Sequence, residues 1–255
     1  MSILAGFAAI SLSQLLLVAG VALLASVVGG LAGYGTGALM PLVLVPLIGA
    51  EPVVPIIAIS SIFTNLGRCA AYVRYIDGRR ALIVIAAAAL TTALGAWGYT
   101  LLTNAGAALV IGTMLIASVP LRRLAKRRDL RIGDPGLAAG AAGYGAVVGG
   151  TSGSGVILLS LLMAAGLEGA AVIATDAVIS VATSLIKISV FGFAGVITAQ
   201  VVAFALLIGA ISIPGAFLAR AFVGRMPVHI HTAVLDAAVI TGGAVMISAA
   251  VRQLL

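Results

Sequence analysis

The chain has 255 residues, of which 62% are hydrophobic and 8% charged, and its formal net charge is +7. Soluble domains carry about 25% charged residues, so a mean hydropathy of +1.28 excludes that class and describes an integral membrane protein. The basic residues lie in short loops with no basic face and no aromatic platform, which excludes nucleic acid as a partner.

The N-terminal stretch MSILAGFAAISLSQ has no basic n-region and is not read as a cleaved signal peptide. Apolar runs follow at about 11–29, 36–48, 52–73, 81–102, 105–121, 136–149, 154–166, 169–191, 197–219 and 230–251. They are continuous rather than alternating, and backbone groups in lipid have to be satisfied within their own segment, so helices are expected rather than a barrel. The fold class is all-α, a polytopic transmembrane helical bundle. One cysteine, Cys69, excludes an internal disulfide and any multi-cysteine metal site.

A bilayer crossing takes about 20 residues, so the second, sixth and seventh runs are short. Two glycine-rich stretches adjoin them, GGLAGYGTGALMPLVL at 29–44 and GGTSGSGVILLSLL at 149–162. Glycine in a helix interior costs about 1 kcal/mol relative to alanine and proline about 3, so both stretches are expected to be broken or re-entrant helix pairs.

Eleven of the fourteen Lys and Arg residues fall in three loops. These are Arg74, Arg79 and Arg80; Arg122, Arg123, Lys126, Arg127, Arg128 and Arg131; and Arg220 and Arg225. Placing all three in the cytoplasm puts the uncharged turns at 103–104 and 192–196 outside, as helix parity requires. Both chain ends then lie outside, provided each short pair returns to the side it entered from. The expected location is a cell membrane, crossed many times.

Under this topology the two halves run in opposite directions. A shift of 119 residues brings Ser61 onto Ser180, Thr64 onto Thr183, Asn65 onto Ser184 and Arg68 onto Lys187, and a shift of 117 brings Gly49 and Glu51 onto Gly166 and Glu168. The division is a first repeat at 1–125, a basic linker at 126–135 and a second repeat at 136–255, the pattern of an inverted-repeat secondary transporter.

Half-helix N-termini in such carriers face the bound anion, because unpaired N–H groups and the helix dipole favour negative charge there. Gly33, Gly35, Thr36 and Gly37 are the candidates in the first half, and Thr151, Ser152, Gly153, Ser154 and Gly155 in the second. The glycines bring backbone close to a ligand and the hydroxyls add donors. The alternative is that the glycines serve only close helix packing.

Four ionisable residues fall inside predicted spans: Arg68, Asp176, Lys187 and Asp236. Such groups face the bundle interior and have partners. Ser61, Asn65, Arg68 and Tyr72 share one helical face, and Asp176, Ser180, Thr183 and Lys187 share another. Arg68 and Asp176 fall on the same side of the midplane, within pairing depth of each other. Asp176 is either a structural ion-pair partner or a proton-loading carboxylate for coupling. Lys187 has no acid near its depth, so it is either an anion-attracting group or a side chain that snorkels to the interface, and the same alternative holds for Arg68 near the other surface. Asn65, Arg68, Thr183 and Lys187 join the glycine stretches as candidate substrate-binding residues. Asp236 is read as a cap or interfacial group, and Glu51 and Glu168 as caps of the helices that follow them. His229 and His231 lack a third metal ligand.

GGLAGYGTGALMPLVL in one half, GAAGYGAVVGGTSGSGVILLSLLMAAGLEGA in the other, a central basic loop, ATDA at 174–177 and PGAFLAR at 214–220 resemble the TauE/SafE sulfite exporter family, also called the toluenesulfonate uptake permease group. The resemblance spans nearly the whole chain. It implies a carrier of sulfite, sulfonates such as sulfoacetate, or related sulfur oxyanions and organic anions, coupled to protons and embedded in a lipid bilayer. The family's glycine triplet is spread into GYGTG here and replaced by TSGSG in the second half.

An intramembrane enzyme is the contrasting class, but no His–Asp–Ser set, no paired acids at catalytic spacing and no cofactor loop stand out. A passive anion channel would conduct without saturable, coupled exchange. The sequence leaves open whether two copies pair as a homodimer.

Overall fold

The computed structural model of the chain describes residues 7, 10–32, 35–127, 131–222 and 228–254, with side chains described outside 29–32, 122–127, 216–222 and 228–235. These residues form ten α-helices and no strand. In order they are α1 (Leu12–Ala32), α2 (Gly35–Ile48), α3 (Val53–Ala71), α4 (Gly78–Thr100) and α5 (Asn104–Arg127). Then come α6 (Asp134–Gly150), α7 (Gly155–Ala164), α8 (Ala170–Phe193), α9 (Ala199–Phe222) and α10 (Val228–Leu254), with a 3-10 turn at Val73–Tyr75.

Each helix coincides with one predicted apolar run, and the three expected to be short are short: α2 has 14 residues, α6 17 and α7 10. At 1.5 Å per residue they extend about 21, 25 and 15 Å against a hydrocarbon core of about 30 Å. Among the described residues five helical segments are long and apolar enough to cross a membrane: Val53–Ala71, Gly78–Thr100, Asn104–Leu121, Ala170–Phe193 and Asp236–Leu254.

Local chemistry sets several boundaries. The Asp77 side chain accepts a hydrogen bond from the Arg80 N–H at 2.9 Å and caps α4. Pro135 sits in the first turn of α6, where a missing N–H costs nothing, beside Asp134, whose charge suits a helix N-terminus. The predicted loop at 122–135 is shorter than expected, because α5 runs on to Arg127. Leu, Ala, Lys and Arg are good helix formers, so leaving the apolar run does not end the helix.

Glu51 and Glu168 do not cap α3 and α8 as expected. The caps are Pro52 and Gly169, which offer no side-chain acceptor. Both carboxylates stay exposed one residue upstream. Asp236 is likewise no cap: it is buried eight residues into α10.

At the centre α3 packs on α8, flanked by the pairs α4–α6 and α1–α9, with α5 on α10. The pairings are reciprocal: α3 meets α9 as α8 meets α4, α2 meets α3 as α7 meets α8, and α5 meets α7 as α10 meets α2. Glycine allows the closest crossings. A Cβ at Gly149 would lie 2.2 Å from the Thr92 carbonyl oxygen, and one at Gly95 would lie 2.3 Å from that of Ala146. Gly112 and Gly243 bring α5 and α10 together in the same way, each Cβ position lying 2.9 Å from the other's carbonyl oxygen.

Candidate functional site

The two glycine-rich stretches meet each other. Gly35, Thr36 and Gly37 form the first turn of α2, and Gly33 lies outside the described residues. In the second half α6 ends at Thr151, whose backbone is extended, and α7 begins at Gly155 after Ser154. Gly153 lies between them at φ +84°, a left-handed conformation that strains residues with a side chain. A Cβ on Gly37 would sit 3.1 Å from the Gly153 nitrogen, so the two stretches touch backbone to backbone.

Pro41 explains how this contact is held. Proline has no N–H, so the Gly37 carbonyl four residues earlier loses its helical donor. The Ser152 hydroxyl, from the other half of the chain, donates to that carbonyl at 2.5 Å. Thr151, Ser152 and Ser154 are all buried. The N-terminus of α7 thus meets the first described turn of α2; a helix N-terminus carries backbone N–H groups without a partner in the helix and the positive end of the helix dipole. The glycine stretch at 149–162 therefore divides: Gly149 serves packing against α4, while 151–155 form the break.

Lys187 reaches the same break from α8. Its ammonium donates to the carbonyls of Val148 at 2.8 Å and Thr151 at 3.2 Å, in the last turn of α6. The residue is 5% exposed, so the side chain points into the bundle and does not snorkel. One turn back along α8, Thr183 is buried beside the Tyr144 hydroxyl of α6 and donates to the Ser180 carbonyl at 3.2 Å.

A second cluster lies at the other end of the α3–α8 contact. Arg68 donates to Asp176 Oδ2 at 2.5 Å, to Asn65 Oδ1 at 2.9 Å and to the Ile173 carbonyl at 3.4 Å. Arg68, Asn65 and Asp176 are buried. Asp176 Oδ1 and Arg68 Nε have no hydrogen-bond partner. Ser61 and Ser184 join the same two helices through a 2.8 Å hydroxyl pair.

The sequence-based residues thus divide into two groups. Asp176 and Lys187 are eleven residues apart on one helix, about 16 Å by helical rise. Gly35, Thr36, Gly37, the 151–155 break, Thr183 and Lys187 form one group, and Asn65, Arg68 and Asp176 the other. Two contributors escape a sequence reading, Pro41 and Tyr144. Pro41 carries a signal, a proline four residues after a glycine in a short apolar helix; Tyr144 carries none, because a tyrosine between glycines reads as packing. The side chains of His229 and His231 lie outside the described residues, and among the described ones no cluster of metal-ligating residues occurs.

Comparison with curated proteins and with solved structures gives no significant match. The family described as Sulfite exporter TauE/SafE matches residues 18–246, which take in both glycine stretches, both polar clusters and the linker between the halves. The chain, with its apolar spans and glycine-rich short helices, belongs to the TauE/SafE sulfite exporter family of membrane transporters.

Proposed function

We propose that the chain exports small sulfur-containing anions such as sulfite, sulfonates or sulfoacetate by alternating access, coupled to protons. The anion binds where the N-termini of α2 and α7 converge. The observation that carries this reading is the backbone contact between Gly37 and Gly153; it supports a common site for the helix dipoles and N–H groups that favour an anion. Thr36 and Ser154 add hydroxyl donors, Ser152 holds the two stretches together through the Gly37 carbonyl, and Lys187 adds positive charge at the edge of the same break.

The reading includes an inverted repeat, 1–125 against 136–255 across the 126–135 linker, with both termini outside. The reciprocal helix pairing supports it, as does the repeated turn chemistry at the ends of the short helices. Gly49 follows α2 at φ +84° and Gly166 follows α7 at φ +88°, 117 residues apart. Asp176 is the carboxylate best placed for proton coupling, because Oδ1 is buried without a partner.

The test is a thermal-shift screen of purified protein against sulfite, sulfate, thiosulfate, taurine, sulfoacetate and simple carboxylates, followed by flux in proteoliposomes. A ligand that prefers the folded state raises apparent stability. A sulfur oxyanion or sulfonate is expected to give the largest shift, with saturable flux that responds to a pH gradient. A shift from carboxylates alone would overturn the substrate class, and unsaturable flux would identify a passive channel.

A further inference from the structure

Arg68 and Lys187 stand 119 residues apart at matching places in the two halves, yet their charges are met in different ways. Arg68 is paired with a carboxylate. Lys187 takes part in none of the ion pairs among the described residues; its ammonium rests on the carbonyls of Val148 and Thr151. Those oxygens belong to the last turn of α6, where carbonyls lack helical donors and the dipole is negative. Carbonyl oxygens at the unwound end of a broken helix are the ligands that membrane carriers offer to small monovalent cations. A buried cation needs such ligands, since an unpaired charge in a low-dielectric interior is costly.

We propose that the end of α6 is a monovalent-cation site and that the Lys187 ammonium is its permanent, tethered occupant. The chain carries its own cation in place of a free one. Two consequences follow. Removing the side chain opens the site to a free cation of the ammonium class, with sodium and potassium as smaller competitors. The intact protein needs no sodium to work. The site itself rests on the geometry of Lys187; the sodium independence rests on the transporter reading above, so the two can fail separately.

The experiment compares the full-length wild type with Lys187→Ala and Lys187→Met in detergent. Apparent unfolding temperature is followed against methylammonium, potassium or sodium chloride, with choline chloride as an ionic-strength control too bulky for the site. Lys187→Ala is expected to be less stable than wild type in choline. It should recover saturably in methylammonium, by about 5 °C or more at a hundredfold excess over Kd. Wild type and Lys187→Met, whose side chain still fills the space, should not respond. An alanine variant that responds no more than wild type, or that matches its stability in choline, overturns the proposal. If Lys187→Ala folds only when methylammonium is present during purification, that recovery supports the site, whereas failure in every salt overturns it. In proteoliposomes, wild-type anion flux should be unchanged when sodium is replaced by choline, and a sodium requirement would overturn the tethered-cation role. Absence of any anion flux would count against the transporter reading and leave the cation-dependent shift of Lys187→Ala to decide the site.

Discussion

The Ser152 hydroxyl donates to the Gly37 carbonyl at 2.5 Å, taking the place of the N–H that Pro41 lacks. A break made in one half of the chain is thereby completed by a side chain from the other half. Irregular backbone at membrane depth persists only where protein buries it or where it lines a wet cavity. Here the Ser152 hydroxyl satisfies the carbonyl that Pro41 leaves without a donor, which ties the start of α7 to the first described turn of α2.

Ser152→Ala should leave the half-buried Gly37 carbonyl unpaired, at a cost of about 1 kcal/mol or more. Pro41→Ala restores a helical N–H to the same carbonyl, so adding it to Ser152→Ala should recover most of that loss. Unfolding of the four proteins in detergent gives the double-mutant cycle, and a coupling of about 1 kcal/mol or more is expected. Strictly additive effects would show that Ser152 and Pro41 do not share that acceptor.

Arg68 and Asp176 form a buried pair between α3 and α8. Breaking such a pair from one side leaves an uncompensated buried charge and costs about 3–5 kcal/mol, whereas replacing both partners by apolar residues of similar volume is often neutral. Asp176→Leu alone should therefore be strongly destabilised, and Arg68→Met with Asp176→Leu should regain near-wild-type stability. Proteoliposome flux by the stable double variant then separates structure from coupling. Proton-coupled transport should be lost, and retained pH-driven flux would remove Asp176 from the coupling path.

Much of this fold is legible in the amino-acid sequence, because apolar run length alone separates α2, α6 and α7 from the longer helices. The depth of Arg68 and Asp176 along antiparallel helices is also enough to bring them together. What escapes is the role of each glycine. Gly149 and Gly153 lie in one motif, yet the first exists for Thr92 of α4 and the second for its positive φ. Only the position of the neighbouring helix tells them apart. The partner of Lys187 escapes for a related reason: its ligands are main-chain carbonyls, and a carbonyl leaves no residue-type signal.

The glycines of α6 allow that distinction to be tested within one helix. A Cβ at Gly145 would lie 2.2 Å from Thr91 Oγ1 and 2.6 Å from the Ala88 carbonyl oxygen, and one at Gly149 meets the Thr92 carbonyl, while at Gly143 nothing lies within 4 Å. Gly143→Ala should stabilise or leave stability unchanged, by up to about 1 kcal/mol from helix propensity. Gly145→Ala and Gly149→Ala force α4 and α6 apart and should each cost about 1–3 kcal/mol. Equal effects at all three positions would mean that α4 and α6 do not cross there. At the break itself, Gly35→Leu and Gly153→Leu are expected to insert and fold yet lose transport, and full activity in either would return those glycines to a packing role.

Asp77 gives a prediction outside the membrane spans. Its carboxylate accepts from the Arg80 N–H at 2.9 Å and the Arg80 guanidinium at 2.6 Å, while its own N–H donates to Thr175 Oγ1 at 3.0 Å. The Arg80 backbone hydrogen bond, aided by the guanidinium and opposed by partial burial, holds the carboxyl below its ordinary value of 3.8. The unfolded chain therefore takes up this proton at a higher pH than the native protein does. The stabilisation is fully present above the ordinary value and is lost as pH falls through the lower native one. At neutral pH, Asp77→Ala should cost about 1 kcal/mol through loss of the cap. Asp77→Asn keeps a cap acceptor without the charge, so its stability should vary less with acid than that of the wild type. Unfolding in detergent at neutral pH and at successively lower pH should show the gap between wild type and Asp77→Asn closing on the acid side. A gap independent of pH would mean that the Asp77 carboxyl ionises alike in the native and unfolded chains.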